Sequence, residues 1–214
     1  VNDRERVPQG RALATVKPAQ LPAMADDLTL AQLGQVFAKS GYFSGVRDEA
    51  QAVVKILYGR ELGISPVSAM MGIHIISSKP VLSADLMAAL IKRSGRYTYK
   101  IVKMDNDGCT ITFFENGAEI GDSAFTRADA QAAGLLGSDT WKKYFRNMAF
   151  ARAMSNGARW YTPEIFGLGV YVPEELGATV DGDGNVIDVP PAPQSKQDTG
   201  FRKRLGDVAT GQLN

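Results

Sequence analysis

The residues whose types and spacing favour a defined chemistry lie between positions 137 and 161, and that chemistry is phosphate binding. This stretch holds five of the chain's 24 Lys and Arg residues, which are Lys142, Lys143, Arg146, Arg152 and Arg159. No Asp or Glu lies between Trp141 and Tyr161 to pair with them. Neighbouring cations without acids repel one another, so a polyanion such as a nucleic-acid backbone would stabilise them. The alternative is the ordinary solvated face of a helix.

The element that must position these cations is predicted to be one long amphipathic helix over 138–159. Ser138, Asp139 and Thr140 are residue types that begin helices, and no proline follows until Pro163. Helical spacing places the cations on one side of this helix and an apolar stripe on the other.

Three aromatic side chains within the basic stretch offer surfaces on which nucleic-acid bases stack. Phe145 lies among the cations, and Trp141 and Tyr144 precede it. We expect Phe145, Trp141 or Tyr144 to stack on bases or to shape a groove. Packing in the core or between subunits is the alternative for Trp141 and Trp160.

The sequence lacks the residue combinations that catalyse reactions or bind metals. Its single histidine, His74, lies in an apolar run, and its single cysteine, Cys109, begins a predicted strand, so both are interpreted as structural. Neither forms a nucleophile–base pair or a metal site with a recognisable signature. The acids do not form the converging pair that a metal nuclease needs. We therefore predict a protein that is not an enzyme, with no cofactor and no metal.

The sequence does not match the spacing of an ATP-binding loop or of a calcium-binding loop. The glycines do not form the Gly-x-x-x-x-Gly-Lys-Ser/Thr loop that binds ATP, so any work on DNA is expected to be independent of ATP. Alternating acids at 181–185 resemble a calcium loop, but the sixth position is not glycine and the twelfth, Ala192, is not glutamate. A hairpin tip or a flexible link is the favoured interpretation of 181–185.

Composition is that of an ordinary globular chain with no membrane span. The 214 residues are 44% hydrophobic and 22% charged, and the net charge of +1 makes the local distribution of charge more informative than its sum. No run of 18 apolar residues occurs. One cysteine excludes an intramolecular disulfide and indicates a reducing compartment, so we expect a cytoplasmic protein.

Changes in composition divide the chain into three parts. Residues 1–25 contain three prolines and few large apolar groups, and are predicted to be a disordered N-terminal arm. Residues 26–177 are predicted to form a single α+β domain, and residues 178–214 a flexible C-terminal tail. The tail carries a basic and apolar motif at 201–205, which either contacts a partner or DNA or keeps the chain soluble.

Within the domain, apolar periodicity predicts three helices before the sheet. The first covers 26–40, the second 47–62 and the third 84–94. The predicted inward face of the second helix consists of Ala50, Val53, Val54, Leu57 and Tyr58. A short β-hairpin over 72–82, with its turn at 78–80, separates the second and third helices.

Residues 97–125 give the clearest strand pattern. Alternation predicts strands over 97–104, 109–115 and 118–125, joined by Asp-Asn-Asp-Gly and Asn-Gly sequences that are typical of hairpin turns. A short helix over 127–133 follows. The predicted fold class is α+β: a three-stranded antiparallel β meander packed with helices, in the order β-β-β-α after N-terminal helices.

Four segments, in their order along the chain, resemble the RecT/Redβ type of phage single-strand annealing protein. They are Leu62-Gly63-Ile64-Ser65-Pro66, Arg93-Ser94-Gly95, Trp141-Lys142-Lys143-Tyr144 and the Arg- and Ala-rich run from Arg146 to Arg159. The resemblance covers about 28–177. The hairpin before the third helix is shorter than in typical members of that family.

The resemblance implies ATP-independent binding of single-stranded DNA and annealing of complementary strands, without covalent chemistry. It also implies a β-β-β-α core and homo-oligomers arranged as rings or helical filaments. Its implied partners are single-stranded DNA, the annealed duplex, and a phage exonuclease or a host single-strand-binding protein in the cytoplasm of a bacterial host.

In a DNA groove of that kind, the helix over 138–159 would supply one wall. Cations near the third helix are expected to form the other wall, and these are Lys79, Lys92, Arg93 and Arg96. Ordinary surface charge is the alternative for these four residues. For the whole protein, the alternative is a non-catalytic phage assembly or scaffold protein whose basic helix binds an acidic partner protein.

Overall fold

A computed structural model describes residues 29–43, 46, 48–167, 170–182 and 184–189 of the chain. This part is an α+β fold in which an antiparallel three-stranded sheet packs against helices, which confirms the predicted fold class. The predicted N-terminal arm, residues 1–25, and residues 190–214 of the predicted tail lie outside the described residues.

The described chain begins with three helices, and they are α1 (Leu30–Lys39), α2 (Glu49–Glu61) and α3 (Pro66–Gly72). Each begins at a polar residue whose side chain accepts a hydrogen bond from a backbone N–H of the first turn. These N-cap residues are Thr29, Asp48 and Ser65. Such caps stabilise a helix because the first turn leaves its amide groups without intrahelical partners.

The buried face of α2 differs from the prediction. Val54 and Leu57, which were predicted to face inward, are 47% and 44% exposed, whereas Ala52, Ile56 and Gly59 are buried. A Cβ atom added to Gly59 would lie 2.5 Å from a side chain of α3. The small residues of α2 therefore face the neighbouring helix and allow close packing. As a result, the larger residues Val54 and Leu57 are left on the exposed side.

A short hairpin connects α3 to the next helix and consists of β1 (Ile73–Ile76) and β2 (Lys79–Leu82). Its turn is Ser77-Ser78, and both residues have the positive φ that a two-residue type I′ turn requires. The predicted turn at 78–80 lies too far along the chain, since Pro80 already pairs with Ile75. The following helix, α4 (Ala84–Arg93), begins at Ser83, whose side chain accepts from the backbone of the first turn.

The predicted meander is confirmed. Its strands are β3 (Tyr97–Met104), β4 (Gly108–Glu115) and β5 (Ala118–Thr126), antiparallel in the order β3-β4-β5. The helices that follow are α5 (Arg127–Ala132), α6 (Asp139–Lys143) and α7 (Phe145–Tyr161). Because three antiparallel strands bury too little apolar surface alone, the sheet needs α7 packed across β4 and β5.

The prediction of one helix over 138–159 is wrong, because the chain breaks between α6 and α7. Tyr144 lies at the break with φ −125° and ψ 39°, outside the helical region. A Cβ atom added to Gly182 would lie 2.6 Å from the Tyr144 ring, and the Thr140 hydroxyl donates to the carbonyl of Val180 over 2.9 Å. These contacts with the C-terminal segment hold α6 and Tyr144 out of a continuous helix, overriding the local preference.

After α7 the chain continues through two 3₁₀ turns, Pro163–Ile165 and Pro173–Leu176, into the hairpin β6 (Thr179–Val180) and β7 (Val186–Asp188). The folded chain therefore extends beyond the predicted boundary at 177. Ala178 and Val180 are buried, and Ala178 packs with Ile76 and Val81. Among the described residues, no helix has both the length and the apolar character needed to span a bilayer.

The described residues Asp181, Gly182, Gly184 and Asn185 lie at the tip of this last hairpin. The backbone N–H of Asp181 donates to the carbonyl of Asn185 over 2.9 Å, and the Asp181 carboxylate accepts the Asn185 N–H over 2.8 Å. Asp181 therefore acts as a turn residue, in agreement with the hairpin interpretation.

Candidate nucleic-acid interface

A cleft of about 300 Å³ lies at the break between α6 and α7, and we call it the basic cleft. The end of α6 and the start of α7 form one wall. The first residue of α5 and the β3–β4 turn form the other. Its lining residues are Asn106, Arg127, Lys142, Lys143, Tyr144, Phe145, Arg146 and Asn147.

Positive charge dominates the basic cleft. Four of its lining residues are cationic and exposed, and no acidic residue is part of its lining in the described chain. Lys142 has an acid nearby, with its Nζ 4.0 Å from Oδ1 of Asp139, but both side chains are exposed and such a pair contributes little. Among the described residues, no carboxylate lies within ion-pair distance of Lys143, Arg146 or Arg127. Their charge is therefore available to an anionic ligand.

Arg127 is held in place before any ligand binds. Its guanidinium lies over the ring of Phe145, 4.1 Å from the ring centre, and its Nε donates to the carbonyl of Asn106 over 2.9 Å. Phe145 itself is buried, with its ring edge against Trp141. A cation fixed by stacking and by a hydrogen bond loses less side-chain entropy when it binds a phosphate.

Two further features of the cleft suit a strand of nucleic acid. The N-terminus of α7, a helix of 17 residues, opens at the cleft, and no described side chain caps it. The partial positive charge of a helix N-terminus favours anions. The ring of Tyr144, 46% exposed, lies beside these groups and offers a face on which a base can stack.

Arg152 and Arg159 do not belong to the cleft, and the premise that they lack acidic partners is wrong. Glu175 lies between them, with its Oε2 2.9 Å from Nη1 of Arg159 and 3.5 Å from Nη1 of Arg152. Arg159 also donates to the carbonyl of Val170 over 2.9 Å. These arginines therefore hold residues 170–177, which we call the strap, against α7.

Comparison with models of protein families, with curated proteins and with solved structures finds no match to this chain. The resemblance to the RecT/Redβ type stays a prediction.

The aromatic residues take different places from those predicted. Trp141 is buried against Phe125, with ring centres 5.8 Å apart, so core packing is confirmed for Trp141 and stacking on bases is not supported. Phe145 forms the floor of the cleft beneath Arg127, where a base cannot reach its covered face. Trp160 is 58% exposed, so core packing is wrong for Trp160, while packing between subunits and stacking on bases stay predictions.

The predicted second wall is also not part of the basic cleft. Arg93 donates from Nη1 to the carbonyl of Gly63 over 2.8 Å and so stabilises the C-terminal end of α2. Arg96 pairs with Glu115 and, at 3.3 Å, with Glu164. These contacts give both arginines a structural role, and phosphate binding by Arg93 and Arg96 stays a prediction separate from the cleft.

The two predicted lysines of that wall lie elsewhere as well. Lys92 lies over the ring of Tyr99, 4.7 Å from the ring centre, and Lys79 is an exposed residue at the start of β2. Neither lines the basic cleft. A phosphate-binding role for Lys79 and Lys92 stays a prediction separate from the cleft.

Sequence reasoning missed Arg127 and Asn106, which form the actual second wall. The topology of the meander could have indicated this wall. In a three-stranded meander, the third strand ends at the same edge of the sheet as the turn that joins the first and second strands. The structure shows this contact, because the backbone N–H of Arg127 donates to the carbonyl of Asp107 over 2.8 Å. The predicted Lys142, Lys143 and Arg146 lie opposite this wall.

Proposed function

We propose that this protein binds single-stranded DNA through the basic cleft and anneals complementary strands without ATP, as a homo-oligomer. The observation that carries the proposal is the group of three cations, Arg127, Lys143 and Arg146, which share one cleft without an ion-paired acid among the described residues. The annealing activity itself is proposed from the resemblance to the RecT/Redβ type.

In this proposal the cleft acts on the backbone of the strand rather than on its sequence. Lysine and arginine side chains neutralise phosphates and release counterions, which gives affinity for any sequence. Tyr144 adds a stacking contact that every base can make. Annealing breaks and makes no covalent bond, so the protein needs to hold strands and raise their local concentration, as several linked protomers would do.

Exposed apolar residues on the N-terminal helices support the oligomeric part of the proposal. Val36, Val54 and Leu57 are exposed on α1 and α2, and Val67 and Met71 on α3. A set of exposed apolar side chains on neighbouring elements is typical of a protein–protein contact. A phage exonuclease or a host single-strand-binding protein, in the bacterial cytoplasm, is the proposed heterologous partner on the resemblance alone.

The second candidate function is a non-catalytic phage assembly or scaffold protein. The same exposed apolar residues favour it, and the basic cleft would then bind an acidic surface of the partner protein. The two candidates differ in one measurable property, which is affinity for single-stranded DNA.

A salt titration of DNA binding tests the proposed function. If each of the four cleft cations contacts one phosphate, log K against log salt should have a slope of about −3 per protomer. Arg146→Ala should weaken binding roughly tenfold and make the slope less negative by about 0.7. Arg60→Ala, on the exposed side of α2, is the matched control and should change neither value.

The rate at which two complementary fluorescent strands anneal should fall in Arg146→Ala and should stay at the wild-type value in Arg60→Ala. A protein that binds no single-stranded DNA at low salt, or that binds with a slope near zero, would contradict the proposal. Oligomers that bind an acidic protein and no DNA would instead favour the scaffold function.

A further inference from the structure

A second cavity, of about 320 Å³, adjoins the basic cleft, and we call it the α7 cavity. It lies between β3, the start of α4, α7 and the strap. Asn147 lines both the α7 cavity and the basic cleft, so the two spaces lie next to each other at this residue. The lining residues that bear on the inference are Asp85, Ile101, Met104, Asn147, Phe150 and Glu174.

The spacing of Arg146 and Phe150 on α7 matches the parts of one nucleotide. The two residues are four apart, so their side chains lie on the same face of the helix, about 6 Å apart along its axis. Arg146 lines the cleft and Phe150 lines the cavity. The sugar that joins a phosphate to its base spans a similar distance. A strand whose phosphate contacts Arg146 can therefore place a base beside Phe150.

Apolar side chains form two sides of the cavity and are exposed to solvent. Ile101 and Met104 on β3 are 41% and 39% exposed, and Phe150 on α7 is half-buried. A ring and a thioether are groups on which a flat aromatic base packs well. Apolar walls with a few placed polar groups are the composition of a small-molecule site.

The polar groups of the cavity are hydrogen-bond acceptors. Nδ2 of Asn147 donates to the carbonyl of Gly182, which fixes the amide and leaves its Oδ1 as an acceptor. Glu174 contributes a carboxyl whose Oε1 is buried without a hydrogen-bond partner. Asp85, in the first turn of α4, adds an exposed carboxylate. Such a set selects a ligand that presents N–H donors, as a carboxylate does with the amino group of cytosine.

We propose that the α7 cavity receives one nucleobase that carries an exocyclic amino group, from the strand whose phosphates lie in the basic cleft. The inference rests on the proposed function and adds a base-binding site to it. Adenine, cytosine and guanine carry such an amino group. Thymine has none, and its single N3–H donor lies between two carbonyl oxygens that the acceptors of the cavity would repel. The cavity thereby gives each bound protomer a preference between bases that the cleft alone does not have.

The test compares three strands of equal length: oligo(dC), oligo(dT) and a strand in which every base is replaced by an abasic sugar. Binding is measured by fluorescence anisotropy at pH 8, where Glu174, whose pKa burial raises to about 7, is ionised. The wild type should bind oligo(dC) about threefold to tenfold more tightly than oligo(dT). The abasic strand should bind more weakly than either, through the cleft alone.

Two variants assign the effect to the cavity. Asp85→Asn changes an exposed carboxylate and should reduce the difference in affinity between oligo(dC) and oligo(dT). Glu119→Gln, on the exposed side of β5, should leave this difference in affinity unchanged. Phe150→Ala should weaken binding of both base-containing strands and leave the abasic strand unaffected. A melting curve shows whether Phe150→Ala is folded. If Phe150→Ala does not fold, Asp85→Asn still tests the cavity.

The outcomes separate this inference from the proposed function. Equal binding of all three strands, with Arg146→Ala still weakening each, would overturn the base site and leave the cleft as the DNA-binding surface. A base preference that Asp85→Asn and folded Phe150→Ala both leave unchanged would also overturn it. Failure of the wild type to bind any of the strands would overturn the proposed function, and the base site with it.

Discussion

Arg159 on α7 donates from Nη1 to Oε2 of Glu175 in the strap across 2.9 Å. The two side chains are 25% and 10% exposed, so both charges are largely withdrawn from water. Oε1 of the same carboxylate accepts from the Ser155 hydroxyl and from the backbone N–H of Val172. One carboxylate thus joins two turns of α7 to the strap.

Replacing Glu175 should therefore cost stability. Glu175→Gln keeps the shape of the side chain but removes the carboxylate that forms ion pairs with Arg152 and Arg159, and we expect the free energy of unfolding to fall by about 2–4 kcal/mol. Urea denaturation at pH 7 measures the change. Glu119→Gln is the matched control and should change stability by less than about 0.5 kcal/mol. Equal stability of Glu175→Gln and the wild type would mean that the strap is held by its apolar contacts alone.

Gly157 lets α7 pack closely against the sheet, and this position should not tolerate a methyl group. An added Cβ would overlap the Phe113 ring and lie 3.0 Å from Cβ of Ser123. The Phe113 ring cannot withdraw, since it is fully buried against Tyr99 and Tyr161. We expect Gly157→Ala to lower the free energy of unfolding by about 2 kcal/mol, despite the better helix propensity of alanine.

The control for this prediction is Gly137→Ala. No heavy atom lies within 4 Å of a Cβ added there, so the substitution should be close to neutral. Chemical denaturation of the two variants side by side makes the comparison, and equal effects would show that the sheet and α7 can separate at little cost.

Elements whose signals are local could be predicted from the sequence. Asn116-Gly117 marks the β4–β5 turn, where both residues have positive φ, and Ser83 caps α4 as its position predicts. The Lys142, Lys143 and Arg146 side of the cleft was found because it is continuous in sequence.

Features that depend on distant contacts could not be predicted in this way. The acid that pairs with Arg159 lies 16 residues further along the chain, in a segment whose path depends on packing against α7. The break at Tyr144 depends likewise on the hairpin that contacts its ring. Periodicity reports which face of a helix is polar, but it does not show whether that face meets solvent, ligand or another segment.

Arg127 should act through its geometry as well as through its charge. Lysine keeps the charge at this position but cannot stack as a plane on Phe145 or donate from Nε to Asn106. We expect the affinity of Arg127→Lys for single-stranded DNA to lie between those of the wild type and Arg127→Ala. Anisotropy titrations at one salt concentration test this order, with Arg60→Lys as the control for a general effect of the exchange. Wild-type affinity in Arg127→Lys would show that charge alone is needed.

Glu174, next to Glu175 in the strap, should make stability depend on pH. Burial is the main reason that its pKa is raised from 4.5 to about 7; the charge of Glu175 raises it further, and Arg152 opposes the change. The folded protein therefore binds this proton more tightly than the unfolded chain does. The resulting stabilisation is fully present below about pH 4.5 and is lost as the pH rises through about 7.

Glu174→Gln removes this titration and leaves the other groups in place. We expect the variant to be more stable than the wild type at pH 8, and the advantage to be smaller at pH 5 by on the order of 2 kcal/mol. Urea denaturation of both proteins at the two pH values measures the difference. His74, whose pKa burial lowers to about 4, destabilises both proteins equally on acidification, so its contribution cancels. An advantage of equal size at pH 5 and pH 8 would mean that Glu174 titrates alike in the folded and unfolded chains, which its burial argues against.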